Sequence, residues 1–326
     1  MKLRLIILTY LFLGSCVSAQ TQMVSKDLKK DFGAKGDGIS NDSQAWAEAV
    51  NFFSGKKNGK LIVPQGVYRI GEQTIDTNIT NKIRFANLKY PANLRNVSDL
   101  EIVGVIDKKS GKPISILRFL DNQYYGYLNP ANRMEALVAN LDSEANLGAV
   151  LNLNHTCRNI TIRNLELDGN FEKQIFHPIP QGVKKGADVG HYGITSYSVA
   201  NLLLENLYVH HFALDGFYIQ NDRKVLEDGK YHTIVKKCRS DLNGRQGLSF
   251  TVGSSILLID SEFTNTGRGR VRISPAANVD IENHDASGAS LKNIRIENCT
   301  MSNNLGGAGS INIAGKVEDI IITNSV

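Results

Sequence analysis

One short phrase returns six times in the second half of the chain. It reads Ile160-Thr-Ile-Arg-Asn164, Leu202-Leu-Leu-Glu-Asn206, Thr233-Ile-Val-Lys-Lys237, Ile256-Leu-Leu-Ile-Asp260, Ile294-Arg-Ile-Glu-Asn298 and Ile320-Ile-Ile-Thr-Asn324. Aliphatic or β-branched residues alternate, and a polar residue closes each copy. Period-two alternation that ends in Asn or Gly reads as a strand followed by a turn. The closing residues are 42, 31, 23, 38 and 26 positions apart, unequal steps that scatter around solenoid repeat lengths. One such unit cannot bury its apolar face alone, whereas stacked units can, with insertions falling into loops.

Stacking gives the Asn column a reason. Asn tolerates left-handed φ and bonds its own backbone, so it suits a bend at a fixed place in each coil. Stacked amides can then hydrogen-bond as a ladder. The columns continue: Leu165, Leu207, Cys238, Ser261, Cys299 and Ser325 come next, then Leu167, Val209, Ser240, Phe263 and Met301 in an inward column. The fold class expected is all-β: a right-handed parallel β-helix, a solenoid of short strands without crossover helices.

At the start, Lys2 and Arg4 precede the apolar run Leu5 to Leu13 and then small residues. That reads as a secretory signal peptide over residues 1–19, too short to span a membrane. Cleavage before Gln20 fits Val17-Ser18-Ala19, and secretion or a periplasmic location follows. Leu13-Gly14-Ser15-Cys16 also fits a bacterial lipobox, which would lipidate Cys16 and anchor the chain at the envelope. The formal net charge of +5 falls to +3 once Lys2 and Arg4 leave, which gives no electrostatic case for nucleic acid. Cys157, Cys238 and Cys299 remain, too few for a disulfide framework in so long a chain. Cys238 and Cys299 sit at equivalent inward positions two coils apart and read as core fillers. No Pro- or Ser-rich linker divides residues 20–326, so one β-helix domain is expected.

Residues 31–70 carry the most specific stretch. Asp31-Phe-Gly-Ala-Lys-Gly-Asp-Gly38 holds a tight turn, and Asn41, Asp42 and Ser43 offer N-caps for a helix with Ala45, Trp46, Ala49, Val50 and Phe53 as its apolar stripe. Lys60-Leu-Ile-Val-Pro-Gln-Gly-Val-Tyr-Arg-Ile70 then reads strand, turn, strand. This stretch resembles the N-terminal capping signature of the pectate-lyase-like (pectin lyase fold) superfamily of β-helix proteins, which includes polygalacturonases and phage tailspikes. The resemblance implies a short capping helix within an N-terminal cap of about residues 27–60 and a carbohydrate-facing groove. It implies no single reaction, because function lives in the site.

Further on, Leu100 to Ile106 and Ile114 to Phe119 read as strands. Tyr124, Tyr125 and Tyr127 fall in a loop, suited to packing or to stacking on sugar. Phe171 to Gly190 is an insertion expected at the groove wall. The chain stops at Val326, just past a repeat phrase, without the polar cap a solenoid end needs; the sequence leaves a continuation open.

Two faces can carry chemistry. One position beyond the inward column come Asp168, His210 and Asp241, expected outward on consecutive coils, where each tunes its neighbours or a cation such as calcium bridges the carboxylates. No cofactor is otherwise required. The second face holds Tyr218 and Ser249. Its next strand is either Val271-Arg-Ile273, which puts Arg272 beside them, or the favoured Val279-Asp-Ile-Glu282, which puts Asp280 and Glu282 on one face. The favoured register leaves a loop over residues 264–277 with Arg268, Arg270 and Arg272. Acids two residues apart on a strand stand roughly 6–7 Å apart, close to the spacing of inverting glycosidases. Elimination instead needs a cation or Arg on a uronate carboxylate and a base for the C5 proton. Asp241, Asp280, Glu282 and His210 are therefore the catalytic candidates, with Arg245, Arg268, Arg270, Arg272 and Tyr218 as substrate contacts, expected to meet in one cleft. The polygalacturonase Asn-Thr-Asp, Asp-Asp and Gly-His-Gly motifs are missing, which leaves the reaction open. A polysaccharide is the expected partner. A lyase on an acidic glycan leads, ahead of a glycoside hydrolase using Asp280 and Glu282, a uronate epimerase, or a non-catalytic glycan-binding or adhesive solenoid.

Overall fold

The six phrases become adjacent strands of one parallel sheet in the computed structural model, which describes residues 22–75, 84–125, 127–128, 134–135, 146–154, 156–176, 181–182, 190–221, 230–284, 290–306 and 310–326. The leader, its cleavage site and Cys16 lie outside the described residues, as do the middle of the 171–190 insertion and the side chain of Tyr127. Among the described residues no helix is long and apolar enough to cross a membrane.

Sheet 1 runs from Val24–Asp27 through Lys57–Ile62, Ser98–Val103, Arg158–Arg163, Ala200–Glu205, Thr233–Lys236, Ser254–Ile259 and Lys292–Glu297 to Ile320–Thr323, with every neighbouring pair parallel. Sheet 2 stacks Asp37–Asn41, Gly66–Ile70, Ser115–Phe119, Glu166–Asp168, Tyr208–His210, Arg239–Asp241, Glu262–Thr264 and Thr300–Ser302. Sheet 3 stacks Asn93–Leu94, Asn146–Leu153, Gly190–Tyr197, Asp215–Gln220, Gln246–Val252, Ala277–Glu282 and Ile311–Ala314. Each coil visits the three in turn, and parallel strands joined this way are right-handed. The fold is the right-handed parallel β-helix that the repeats predict.

The turn column behaves as its residue types require. Asn164, Asn206, Lys237, Asp260, Asn298 and Asn324 all take φ between 50 and 61°. The ladder bonds follow: Asn206 Nδ2 donates to Asn164 Oδ1 at 2.8 Å, and Asn298 Nδ2 to Asp260 Oδ1 at 2.7 Å. A second ladder, not singled out from the sequence, precedes the sheet 1 strands, where Asn201 donates to Asn159 and Asn159 to Asp99.

The inward residues Ile160, Ile162, Leu204, Val235, Leu258 and Ile296 are all buried, as are Leu167, Val209, Ser240, Phe263 and Met301. Each large aliphatic side chain so buried contributes about 1.5–3 kcal/mol. One apolar cluster extends from Leu28 to Met301. Cys238 and Cys299 are free and buried, separated by the Ser261 coil. The capping helix, Ser43–Phe52, buries Trp46, Ala49 and Val50. Asp42 stands at its N-cap position, but its carboxylate accepts from the backbone of Lys35 and Gly36, holding the Gly-Asp-Gly turn.

A second, smaller apolar cluster joins Tyr125, Phe171, Phe176, Leu214, Val271 and Ile273. It explains two ambiguities. Tyr124 and Tyr125 form a short strand beside Ile175–Phe176 rather than a loop, and the buried Tyr125 ring packs 4.8 Å from that of Phe176. Val271 and Ile273 are apolar because they cover this side cluster, and Val279 is the residue that pairs with Leu248.

Candidate active site

The outer face of sheet 3 carries one polar column across its coils: Asn93, Asn152, Thr195, Tyr218, Ser249, Asp280 and Asn312, each opposite the next. Alternation along Val279-Asp-Ile-Glu282 puts Asp280 and Glu282 on this face, so the favoured register holds. Asp280 is buried to 1 % exposure and takes three donors: Gln246 Nε2 at 2.9 Å and Ser249 Oγ at 3.4 Å on Oδ2, and Asn312 Nδ2 at 2.7 Å on Oδ1. Burial outweighs these bonds and pushes its carboxyl up to about 6. Glu282 is more exposed, with His284 Nε2 3.2 Å away.

Beside Asp280 lies a buried ion pair. Arg245 donates Nε at 2.9 Å and a terminal nitrogen at 2.6 Å to the two oxygens of Asp215. Both charges act on Asp280 and on Tyr192. Tyr192 and Tyr197 flank Tyr218 at 5.5 and 6.0 Å between ring centres. Asp215 escapes period-two counting because Gly216 and Phe217 both face inward: a Cβ on Gly216 would stand 2.6 Å from the buried Ser240 Oγ, and Phe217 is buried. Asp215 and Tyr218 thus face one way at a spacing of three. Neither Asp215, Tyr192, Gln246 nor Asn312 is singled out by the repeats.

Sheet 2 carries the other candidates. Asp168, His210 and Asp241 are opposite one another on consecutive coils, as expected, and Arg118 precedes them. They are buried, at 4–6 % exposure, rather than solvated. Arg118 Nε bonds Asp168 at 2.6 Å. Asp241 takes Arg239 at 2.9 Å, Thr264 at 2.8 Å and Asn265 at 2.7 Å. The expected meeting of Asp241 with Arg245, Asp280 and Glu282 therefore does not form. The chain turns between Asp241 and Gln246 onto another sheet, and the two acids share no hydrogen-bonding partner among the described residues. The calcium expected to bridge Asp168 and Asp241 would meet His210 between the two carboxylates in the column, and Asp241 is engaged by Arg239, Thr264 and Asn265.

The arginine-rich loop is also employed elsewhere. Arg268 donates to the backbone carbonyls of Asn303 and Asn304. Arg270 donates to those of Glu172 and Gln174 and lies 5.2 Å over the Phe176 ring. Arg272 pairs along the backbone with Gln181 and not with Tyr218 or Ser249. The outer face of sheet 1 holds surface ion pairs such as Lys60–Glu101 and Arg295–Glu297, worth little each. A hollow of about 440 Å³ beside the capping helix is lined by Gln44, Glu48, Asn51, Lys89, Tyr90 and Arg95, with Glu48 as its one acid.

No family model and no curated protein matches this chain. Solved structures do. Gene product 12 of bacteriophage phi29 is 16 % identical with a TM-score of 0.42, over 92 % of this chain and 33 % of its own. A putative glycosyl hydrolase of Parabacteroides merdae is 13 % identical with a TM-score of 0.44, over 93 and 95 %. A mannuronan C-5 epimerase A-module of Azotobacter vinelandii is 17 % identical with a TM-score of 0.36, over 91 and 79 %. The chain thus spans about a third of the phage protein. The parallel sheets show the fold by themselves, and the reaction has to be argued from side chains.

Proposed function

We propose that the protein is a carbohydrate-active enzyme that hydrolyses a glycosidic bond on the outer face of sheet 3. The observation that carries this is the asymmetry between two acids on one strand. Asp280 is buried and held protonated to about pH 6, while Glu282, two residues on, is half-exposed. Environments that push paired carboxyls apart divide them into acid and base. Asp280 gives its proton to the leaving glycosidic oxygen. Glu282 takes a proton from water as that water's oxygen bonds the anomeric carbon and the glycosidic C–O bond breaks. Strand geometry sets the pair about 6–7 Å apart, at the lower edge of the inverting range and above the retaining one. Substrate must draw the Gln246 and Asn312 amides off Asp280, and the Tyr192–Tyr218–Tyr197 row offers rings for sugar faces.

Elimination on a uronate is the second reading. It relied on free guanidinium groups over the groove, and Arg245, Arg268 and Arg270 are all bonded within the protein. That moves the balance to hydrolysis. Product analysis on a panel of neutral and acidic polysaccharides decides. Hydrolysis releases reducing ends without near-ultraviolet absorbance, with a rate that falls above about pH 6 as Asp280 loses its proton. Unsaturated, absorbing ends would make it a lyase. Retention of glycan without any cleavage would make it a binding solenoid.

A further inference from the structure

The sheet 2 face holds a cluster that the proposed reaction does not use. The Nδ1 atoms of His210 and His211 face each other at 2.6 Å, and Asp168 Oδ1 lies 3.7 Å from His210 Nδ1. The ligand atoms of all three residues fall within 4.8 Å of one another. We propose that Asp168, His210 and His211 form a binding site for one divalent transition metal of the zinc class, separate from the acid pair on sheet 3.

Four features make this a built site. Glu166 Oε1 lies 3.4 Å from Nε2 of His210, a carboxylate placed to accept from that nitrogen and leave Nδ1 to ligate, the arrangement in which a carboxylate orients a ligating imidazole. Tyr208 stacks on the His210 ring at 4.1 Å, and Phe171 lies 5.2 Å from His211, fixing both planes. Arg118 Nε bonds Oδ2 of Asp168 at 2.6 Å and the Asn170 backbone N–H bonds Oδ1 at 2.7 Å, which fixes the carboxylate beside the imidazoles. His211 has φ of 57° in the turn column that Leu242, Asn265 and Asn303 occupy on later coils. A β-turn position that suits Asn here carries an imidazole aimed at its neighbour.

Two ring nitrogens this close need a proton or a cation between them. Ligand atoms on a tetrahedral zinc-class ion stand roughly 3.3 Å apart, so the imidazole pair at 2.6 Å opens and Asp168 at 3.7 Å closes in when an ion binds. Two imidazoles and one carboxylate suit zinc, cobalt or nickel, whereas calcium takes oxygen ligands. Three protein ligands leave a fourth position for water.

The test uses tag-free full chain, stripped with chelator and titrated with Co²⁺ and with Zn²⁺. The expected result is one ion bound per chain, with the visible absorption of four-coordinate cobalt. His211→Asn keeps the turn and removes a ligand; it should weaken binding at least about 100-fold, with the circular dichroism unchanged. Glu166→Ala, which touches no ligand atom, should weaken it about 10–100-fold, and stands in if His211→Asn does not fold. Absence of stoichiometric binding by the unaltered chain, or unchanged affinity in the folded variants, overturns the assignment.

Discussion

Replacing Asp280 with Asn should make the protein more stable at neutral pH while removing its general acid. The carboxyl rises from the ordinary 3.8 to about 6 because burial disfavours the charged form. A raised folded-state value means that the native state binds the proton more tightly than the unfolded chain does. Stability is therefore full below about pH 4, falls as pH rises to about 6, and is level above. The shift corresponds to about 3 kcal/mol at 1.36 kcal/mol per pKa unit. An amide mimics the neutral form at every pH. Its new N–H group also finds an acceptor: Gln246 Oε1 is buried without a hydrogen bond, and rotating that amide would present it. Urea titration of both proteins, followed by circular dichroism at pH 4, 5, 6, 7 and 8, measures the difference. Asp280→Asn should gain about 2.5 kcal/mol on the unaltered protein between pH 4 and pH 8, because part of the shift is already spent at pH 4. Other titrating groups cancel in that difference. A difference independent of pH would show that Asp280 ionises normally and would remove the ground for its role as acid.

Arg245→Ala takes the guanidinium from the fully buried Asp215 and should cost about 3–5 kcal/mol in urea titrations, whereas the double change Asp215→Leu, Arg245→Met should recover most of it; equal loss in both would refute the ion-pair account. In the turn ladder, Asn206→Gly should be milder than Asn206→Ala, because alanine in the left-handed region costs about 1–2 kcal/mol; the same denaturation measurement compares them. Burial pushes the Cys238 thiol up to about 12, so it should resist alkylation at pH 8 in the native protein. In unfolded, unreduced protein, mass spectrometry should find Cys238 and Cys299 both labelled.

Much of the fold was readable because a solenoid writes its period into the chain. Alternation placed Ile160, Leu204 and Ile296 inside, and counting one position further stacked Asp168, His210 and Asp241 correctly. It also put Asp280 and Glu282 on one face. The candidate site was less legible, for three physical reasons. Counting along one sheet does not tell which sheets face one another, so Asp241 was grouped with acids around the corner. Period two breaks at Gly216 and hid Asp215, although Gly216 itself, with Gly193 and Gly247 beside it on adjacent coils, was the available signal. A run of arginines says nothing about what it holds. Arg268 and Arg270 hold backbone carbonyls, and only the packing of residues 172–176 and 303–304 reveals it.

Asp280 and Glu282, on the outer face of sheet 3, are the residues proposed to do the chemistry. The most direct test is the turnover number of Asp280→Asn and Glu282→Gln on a cleaved glycan at pH 5–6, with native circular dichroism confirmed for each. The account predicts a loss of about a hundredfold or more in each variant, the scale of a missing general acid or base. Near-full turnover by both folded variants would contradict it.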